Sequence, residues 1–325
     1  MDKLFNKRNK ILDLEFAKNI KIPEDLSCFF KDFEELKTLE PLKIWDISNV
    51  RKMSTMFYNC FSLENLNGVS SWNTSNITLL ENTFKNCHKL KDISELENWD
   101  VSHVKSLKNC FSNCLELSNL QGLNKWDVSN CEIMTGIFNK CFHLNDISGI
   151  SQWNISNVKN FTKAFKSCFN LENLEPLINW KTSFISSSEM FFECDKLKTL
   201  EYLRNWNLSQ CENMCYMFSS CNLKNLNGLE NWDVSKCKYM VNLFSHNDNL
   251  NDIKGIENWD VSNVLNFSGM FMFSSVSDIS FIENWKVNPN AEFSGMFYGA
   301  NVKNLEPLKK WFPNLTIEEI NNKFL

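Results

Sequence analysis

The sequence predicts an α/β repeat solenoid, and three observations carry the prediction. All 11 Trp residues lie on one ladder whose steps are 26 or 27 residues. A Phe column and a Cys column keep the same period. Between successive Trp residues stand one apolar stripe, one short extended piece and one turn. A unit this short cannot bury both its faces alone, so neighbours stack to close a shared core. Ten full units of 26–27 residues, each a short strand plus a short helix, run from Trp45 to Lys310.

Taken in order, residues 1–20 are read as an N-terminal cap, 21–311 as the solenoid and 312–325 as a C-terminal capping helix. A partial unit comes first, with Leu26, Phe29, Phe30, Phe33, Leu36, Leu39 and Leu42 in the apolar columns. In the first full unit, Val50, Met53, Met56, Phe57 and Cys60 form a stripe that predicts a short helix. Ser48 precedes it as a candidate N-cap, and Ser75, Ser102, Ser129, Ser156, Ser209, Ser235 and Ser262 recur at that column. Leu63, Glu64, Asn65 and Leu66 follow as the extended piece, with parallel pairing between units expected at about 4.8 Å per step. Gly68, Gly122, Gly149, Gly228 and Gly255, or Pro41, Pro176 and Pro307, then turn the chain. At the far end, Thr316 and Glu319 match a capping box, and Ile317, Ile320 and Phe324 give the last helix an apolar face.

The repeated Trp-Asp dipeptide brings a propeller to mind, but a blade needs about 40 residues, and tetratricopeptide and ankyrin units about 34 and 33. Only the leucine-rich-repeat range of about 20–29 fits. The residues themselves point the same way. Trp45-Asp46-Ile47-Ser48-Asn49-Val50 followed by Met53, Met56-Phe57 and Cys60, and Trp259-Asp260-Val261-Ser262-Asn263-Val264 followed by Met270-Phe271, resemble the repeat of the BspA-like leucine-rich-repeat surface proteins. That group includes the mycoplasma surface proteins with a 25-residue repeat. The resemblance spans about residues 21–311 and recurs ten times. It implies a leucine-rich-repeat-like solenoid used for adhesion to proteins or cells, without catalysis.

The chemistry-bearing residues read mainly as structure. The net charge of −5 gives no electrostatic ground for binding nucleic acid. Cys60, Cys87, Cys114, Cys141, Cys168, Cys194 and Cys221 share one column, where metal binding or disulfides are conceivable. Asn247, Ser274 and Ala300 replace them without breaking the pattern, so the column reads as small core side chains and reduced thiols. The four His residues fall at different columns and make no H-x-x-H or H-E-x-x-H pattern. Phosphate-binding loops and nucleophile elbows are absent from the sequence. No enzyme activity, cofactor or metal is expected.

Asp46, Asp100, Asp127, Asp233 and Asp260 share a column with Asn73, Asn154 and Asn207. A calcium ladder is one reading; acceptors for nearby backbone N–H groups in a turn is the better one. A second column, from Asn65 and Asp92 to Asp278 and Asn304, reads as a structural ladder holding the strand edge, ahead of a ligand site. Function is then left to variable columns. The residue after the first strand Leu is Glu64, Lys91, Ser118, Asn145, Glu172, Lys198, Lys224, Asn251, Ser277 and Lys303 in successive units. These are the candidate partner-binding residues of a non-enzymatic protein–protein interaction scaffold, expected to be a monomer. The alternative is an extracellular adhesin-type binder of glycan or protein. Charges interrupt every apolar stretch near Met1, and no run reaches the ~20 apolar residues of a membrane span. A cytoplasmic location, the chain's own or a host's, is therefore expected over the cell surface.

Overall fold

The computed structural model describes residues 21–324, so the cap expected over 1–20 lies outside the described residues. By its contacts the chain divides into two compact units. One is Met1–Val158 with Cys168–Asn170, and the other is Lys159–Ser167 with Leu171–Leu325. Within each unit, successive Trp-to-Trp intervals form stacked coils, and the coil differs from the expected strand plus helix.

The stripe from Val50 to Cys60 is not a helix. Thr55 and Asn59 have φ of 57° and 63°, in the left-handed region. The same two columns are left-handed in the following coils, at Asn82 and Asn86 (54° and 65°) and at Gly136 and Lys140 (61° and 60°). A left-handed L-residue costs about 1–2 kcal/mol and ends any right-handed helix. The hydrogen bonds alternate accordingly. Met56 and Tyr58 donate back to the Met53 and Thr55 carbonyls at 3.2 Å. Met53, Thr55, Phe57 and Asn59 donate instead to Leu79, Glu81, Thr83 and Lys85 of the next coil at 2.8–3.0 Å. Half the donors thus face the neighbour, where an α-helix would spend nearly all of them internally.

The burial pattern explains why. Ile47, Val50, Met53, Met56, Cys60, Leu63, Leu66, Val69 and Trp72 are all buried, and all but one of their steps are three residues. On a helix of 3.6 residues per turn, a strict three-residue repeat slips by roughly 60° per step and soon leaves any one face. A chain that turns in triplets keeps one side chain of each triplet inward for the whole coil.

The expected strand also contracts. In the first unit it survives as isolated parallel bridges, Asn65 to Asp92 and Asn119 to Asp146, beside a second set at Asp25–Lys52–Leu79 and Ser106–Ile133. In the second unit one column bridges Asn160, Ser186, Asn213, Tyr239, Asn266 and Glu292 in order. Short 3-10 turns precede the Trp ladder: Glu40–Ile44, Ser94–Leu96, Gln121–Leu123 and Ser148–Ile150 in the first unit. Their counterparts in the second are Glu175–Leu177, Glu201–Leu203, Ser280–Ile282 and Glu306–Lys310. The coils approach closely here. A Cβ on Gly149 would lie 1.9 Å from the Leu120 carbonyl oxygen, so this coil requires glycine.

Aromatic columns fill each core. In the first unit Phe30, Phe57, Phe84, Phe111 and Phe138 stack with centroids 5.5–5.9 Å apart. In the second, Phe165, Phe191, Phe218, Phe244, Phe271 and Phe297 do so at 5.5–5.9 Å. The Trp indoles stack too, and their N–H groups reach carbonyls of the preceding coil, as in Trp126 to Leu96 at 2.8 Å and Trp259 to Leu229 at 3.0 Å. Trp45, at the start of the ladder, is the exception: its buried N–H has no partner among the described residues. A buried indole N–H left unpaired costs about 1–3 kcal/mol, so each indole bond that does form locks the register between two coils.

The α-helix α1, Ile317–Phe324, ends the described chain. The Thr316 hydroxyl accepts the Glu319 N–H at 3.2 Å, and Glu319 accepts the Thr316 N–H at 2.6 Å. Phe324 packs against Phe293, Phe297 and Trp311 at centroid distances of 5.0–6.1 Å, and its carbonyl accepts the Phe297 N–H.

Candidate interaction surface

Two acidic and amide columns hold the turns through their side-chain oxygens. Asp46 Oδ1 accepts the Ser48 N–H at 3.0 Å, Asp127 that of Ser129 at 3.0 Å, and Asn154 that of Ser156 at 3.2 Å. In the second column Asn65 accepts from Asn67 at 3.1 Å, Asp92 from Ser94 at 2.8 Å and Asn304 from Glu306 at 3.0 Å. Ser48 and its equivalents are therefore donors to the preceding Asx residue and not helix N-caps, because no helix follows them. Hydrogen bonds from the Ser48, Ser129, Ser235 and Ser262 side chains and N–H groups hold Asp46, Asp127, Asp233 and Asp260 below the usual carboxylate range.

The Cys column is similarly absorbed. Cys60, Cys87, Cys114, Cys141 and Cys168 each donate S–H to the Phe carbonyl of the preceding coil at 3.3 Å. Asn247 does the same with its amide, 2.8 Å from the Phe218 carbonyl. The column thus adds a small second donor to a buried carbonyl that already accepts a backbone N–H, as Phe57 does from Cys60 at 3.2 Å, while Ser274 bonds to Phe271 of its own coil at 2.7 Å. Burial pushes the Cys60 thiol up to about 12 and Cys131 up to about 11. Such thiols are almost wholly protonated and unreactive. The cysteines are all free, and Cys28 alone among them is exposed. Among the described residues no group of three or more His, Cys, Asp and Glu is disposed to hold a metal ion.

The candidate partner-binding column is exposed on a rigid backbone. Glu64, Lys91, Asn145, Glu172, Lys198, Lys224, Asn251, Ser277 and Lys303 are exposed, and Ser118 is half-buried. Their backbones are laddered: Lys91 N–H to the Glu64 carbonyl at 3.0 Å and Asn145 N–H to Ser118 at 3.1 Å in the first unit. In the second unit, Lys198 and Glu172 form an ion pair at 2.7 Å. Lys224 and Asn251 meet at a cavity of about 350 Å³ whose other lining residues are Asn225, Asn249 and Asp252. Asn225 and Asp252 belong to the column read above as purely structural, and Asn249 carried no sequence reading at all. No sequence signal singles them out, because the residue missing between Cys221 and Leu223 is missing also between Ser274 and Val276 and between Ala300 and Val302.

A family model described as "Mycoplasma protein of unknown function, DUF285" matches residues 24–119, 106–222 and 185–311. The chain belongs to that family. The DUF285 match runs over the same coils whose Trp, Phe and Cys columns resemble the mycoplasma-type repeat. A comparison with curated proteins returns no match. Among solved structures, a leucine rich cell surface protein from Faecalibacterium prausnitzii shares 14% identity over 85% of this chain and 80% of that one, with a TM-score of 0.33. A leucine-rich repeat protein from Bacteroides ovatus shares 14% identity over 84% and 67%, with a TM-score of 0.40. Internalin C2 from Listeria monocytogenes shares 11% over 92% and 80%, with a TM-score of 0.27. No helix among the described residues of this DUF285 chain is long and apolar enough to cross a membrane.

Proposed function

We propose that this DUF285 chain is a non-enzymatic, monomeric interaction scaffold that binds a protein partner through the exposed column from Glu64 to Lys303. Residues 21–311 carry the binding column, and 312–325 close the C-terminal end. One observation carries the reading. The column's backbone is held by hydrogen bonds between coils, while its side chains stay exposed and change charge from one coil to the next. Rigid presentation lowers the entropy lost on binding, and a changing charge pattern favours one partner over others. The polar residues at the other repeated columns are committed to turns or to buried carbonyls and offer no second surface of this kind.

The test is a pull-down with the wild-type chain and with a Glu64→Lys, Lys91→Glu double variant. Both side chains are exposed, so the melting temperature should not change. The captured protein should be lost from the variant. Capture of the same protein in the same yield would remove this part of the column from the binding surface.

A further inference from the structure

The cavity in the second unit lies where the 26-residue coil from Trp206 meets the 27-residue coil from Trp232. The coil from Trp206 has one residue, Asn222, between Cys221 and Leu223, where the next coil has Asp248 and Asn249 between Asn247 and Leu250. At this corner side-chain bonds join the two coils, from the Leu223 N–H to Asn247 Oδ1 at 3.1 Å and from the Asn249 amide to Asn222 at 2.7 Å. Asn251 and Asp252 both direct their N–H groups at the Lys224 carbonyl, at 3.3 and 3.4 Å. The equivalent pair in the first unit, Asn145 and Asp146, reaches the Ser118 carbonyl at 3.1 Å, with a bridge between Asn119 and Asp146. Among the described residues no such bridge joins Asn225 to Asp252.

The groups around the opening are polar and partly unspent. Asn225 Oδ1 accepts the Asn227 N–H at 3.1 Å, Asp252 Oδ1 accepts the Lys254 N–H at 2.9 Å, and the Asn249 amide donates to Asn222 at 2.7 Å. That leaves the Asn225 amide N–H groups, Asn249 Oδ1, the whole Asn251 amide, the second Asp252 oxygen and the Lys224 ammonium without a partner among the described residues. Donors and acceptors are mixed, one ammonium balances one carboxylate, and no apolar side chain lines the space.

We infer that this cavity binds a neutral polyhydroxylated ligand, one sugar residue of a glycan. A hydroxyl group both donates and accepts, so a ring bearing neighbouring hydroxyls matches a mixed set of amide, carboxylate and ammonium groups. A hydrocarbon ligand would leave these groups desolvated and unpaired. An ionic ligand would meet a like charge whichever its sign. The volume lies within the ordinary range of small-ligand sites, about 300–1,000 Å³. The site does not rest on the protein-partner reading, and either can fail without the other.

The experiment titrates the 325-residue chain with a panel of neutral monosaccharides, followed by saturation-transfer NMR. The expected result is saturable binding of at least one sugar. Asn251→Ala and Lys224→Met should each weaken it by about tenfold, since each deletes a ligand bond without touching a bond within the protein. Asn145→Ala, at the same column but on a coil without the cavity, should bind like wild type. An unchanged melting temperature in all three excludes unfolding as the cause. Absence of saturable binding by every sugar, or binding that Asn251→Ala and Lys224→Met leave intact, would overturn the site. The Glu64→Lys, Lys91→Glu variant, whose residues lie outside the cavity, should bind the sugar like wild type while losing the captured protein, which separates the two proposals.

Discussion

Replacing Lys140 by glycine tests the coil geometry with a change of sign. Lys140 has φ of 60°, is exposed, and makes no ion pair among the described residues. Its substitution therefore removes no ion pair and acts chiefly through the backbone. In the left-handed region an L-residue costs about 1–2 kcal/mol that glycine does not. Glycine returns about 0.4–1 kcal/mol of this through the greater freedom of the unfolded chain. The net expectation for Lys140→Gly, from these two terms, is a gain of about 0–1.6 kcal/mol, centred near 0.8. Lys140→Ala keeps the Cβ and should be close to neutral. If the segment were the helix that its apolar stripe first indicates, the order would reverse. Glycine would then lose about 1 kcal/mol relative to alanine, and alanine would equal or exceed lysine. Guanidinium denaturation of the three proteins, compared at constant slope, reads the difference directly. A glycine variant less stable than the alanine variant would refute the triplet coil.

Acid should weaken the turns. Asp127, Asp233 and Asp260 titrate below their ordinary value of 3.8 when folded, so their contribution is complete above that pH and is lost as the pH falls through the lowered values. Converting all three to Asn keeps the Oδ1 acceptor, as Asn73 and Asn154 already do, and should flatten the acid limb of a pH–stability curve; an identical limb would argue against it. Thiol labelling of native protein should modify Cys28 quickly and half-buried Cys215 slowly, with the buried cysteines reacting only after denaturation. Fast modification of the Cys60 column would contradict the buried S–H to carbonyl bonds. Truncation after Lys310 removes Trp311 and Phe324 from Phe293 and Phe297, and should lower the melting temperature or cause aggregation, as losing one such buried ring costs about 3–5 kcal/mol. A monomeric truncation product with an unchanged melting temperature would show that α1 covers nothing of consequence.

The Trp ladder, the Phe and Cys columns and the two Asx columns were legible without coordinates, because each must recur at the same place in every coil for neighbours to stack. The structural role of the Cys column was legible too, since Asn247 and Ser274 stand in for Cys there without disturbing the period. What misled was the stripe from Val50 to Cys60. Its spacing looks helical over ten residues, and only continuation of the three-residue step through Leu63, Leu66, Val69 and Trp72 distinguishes a triplet coil. Asn82, Asn86, Asn109, Asn113, Gly136 and Gly269 mark the left-handed columns in advance, since Asn and Gly tolerate them best. Thr55, Lys140, Glu189 and Phe273 at the same columns hide the signal.

Composition and period alone determined that this chain is a stacked repeat with an aromatic core, because only a repeating unit with shared faces can bury eleven Trp residues at one spacing. They also determined which polar residues serve the turns, since an Asx acceptor and the N–H it binds lie two residues apart in the chain. Tertiary structure alone decided where the backbone donors go. A donor at Thr55 can close a helical turn or reach Glu81 of the next coil, and that choice depends on whether a neighbour is present to accept. It also decided which polar residues come together: Lys224 and Asn225 of one coil meet Asn249, Asn251 and Asp252 of the next at one cavity, because residues this far apart in the chain become neighbours only when the coils are laid side by side.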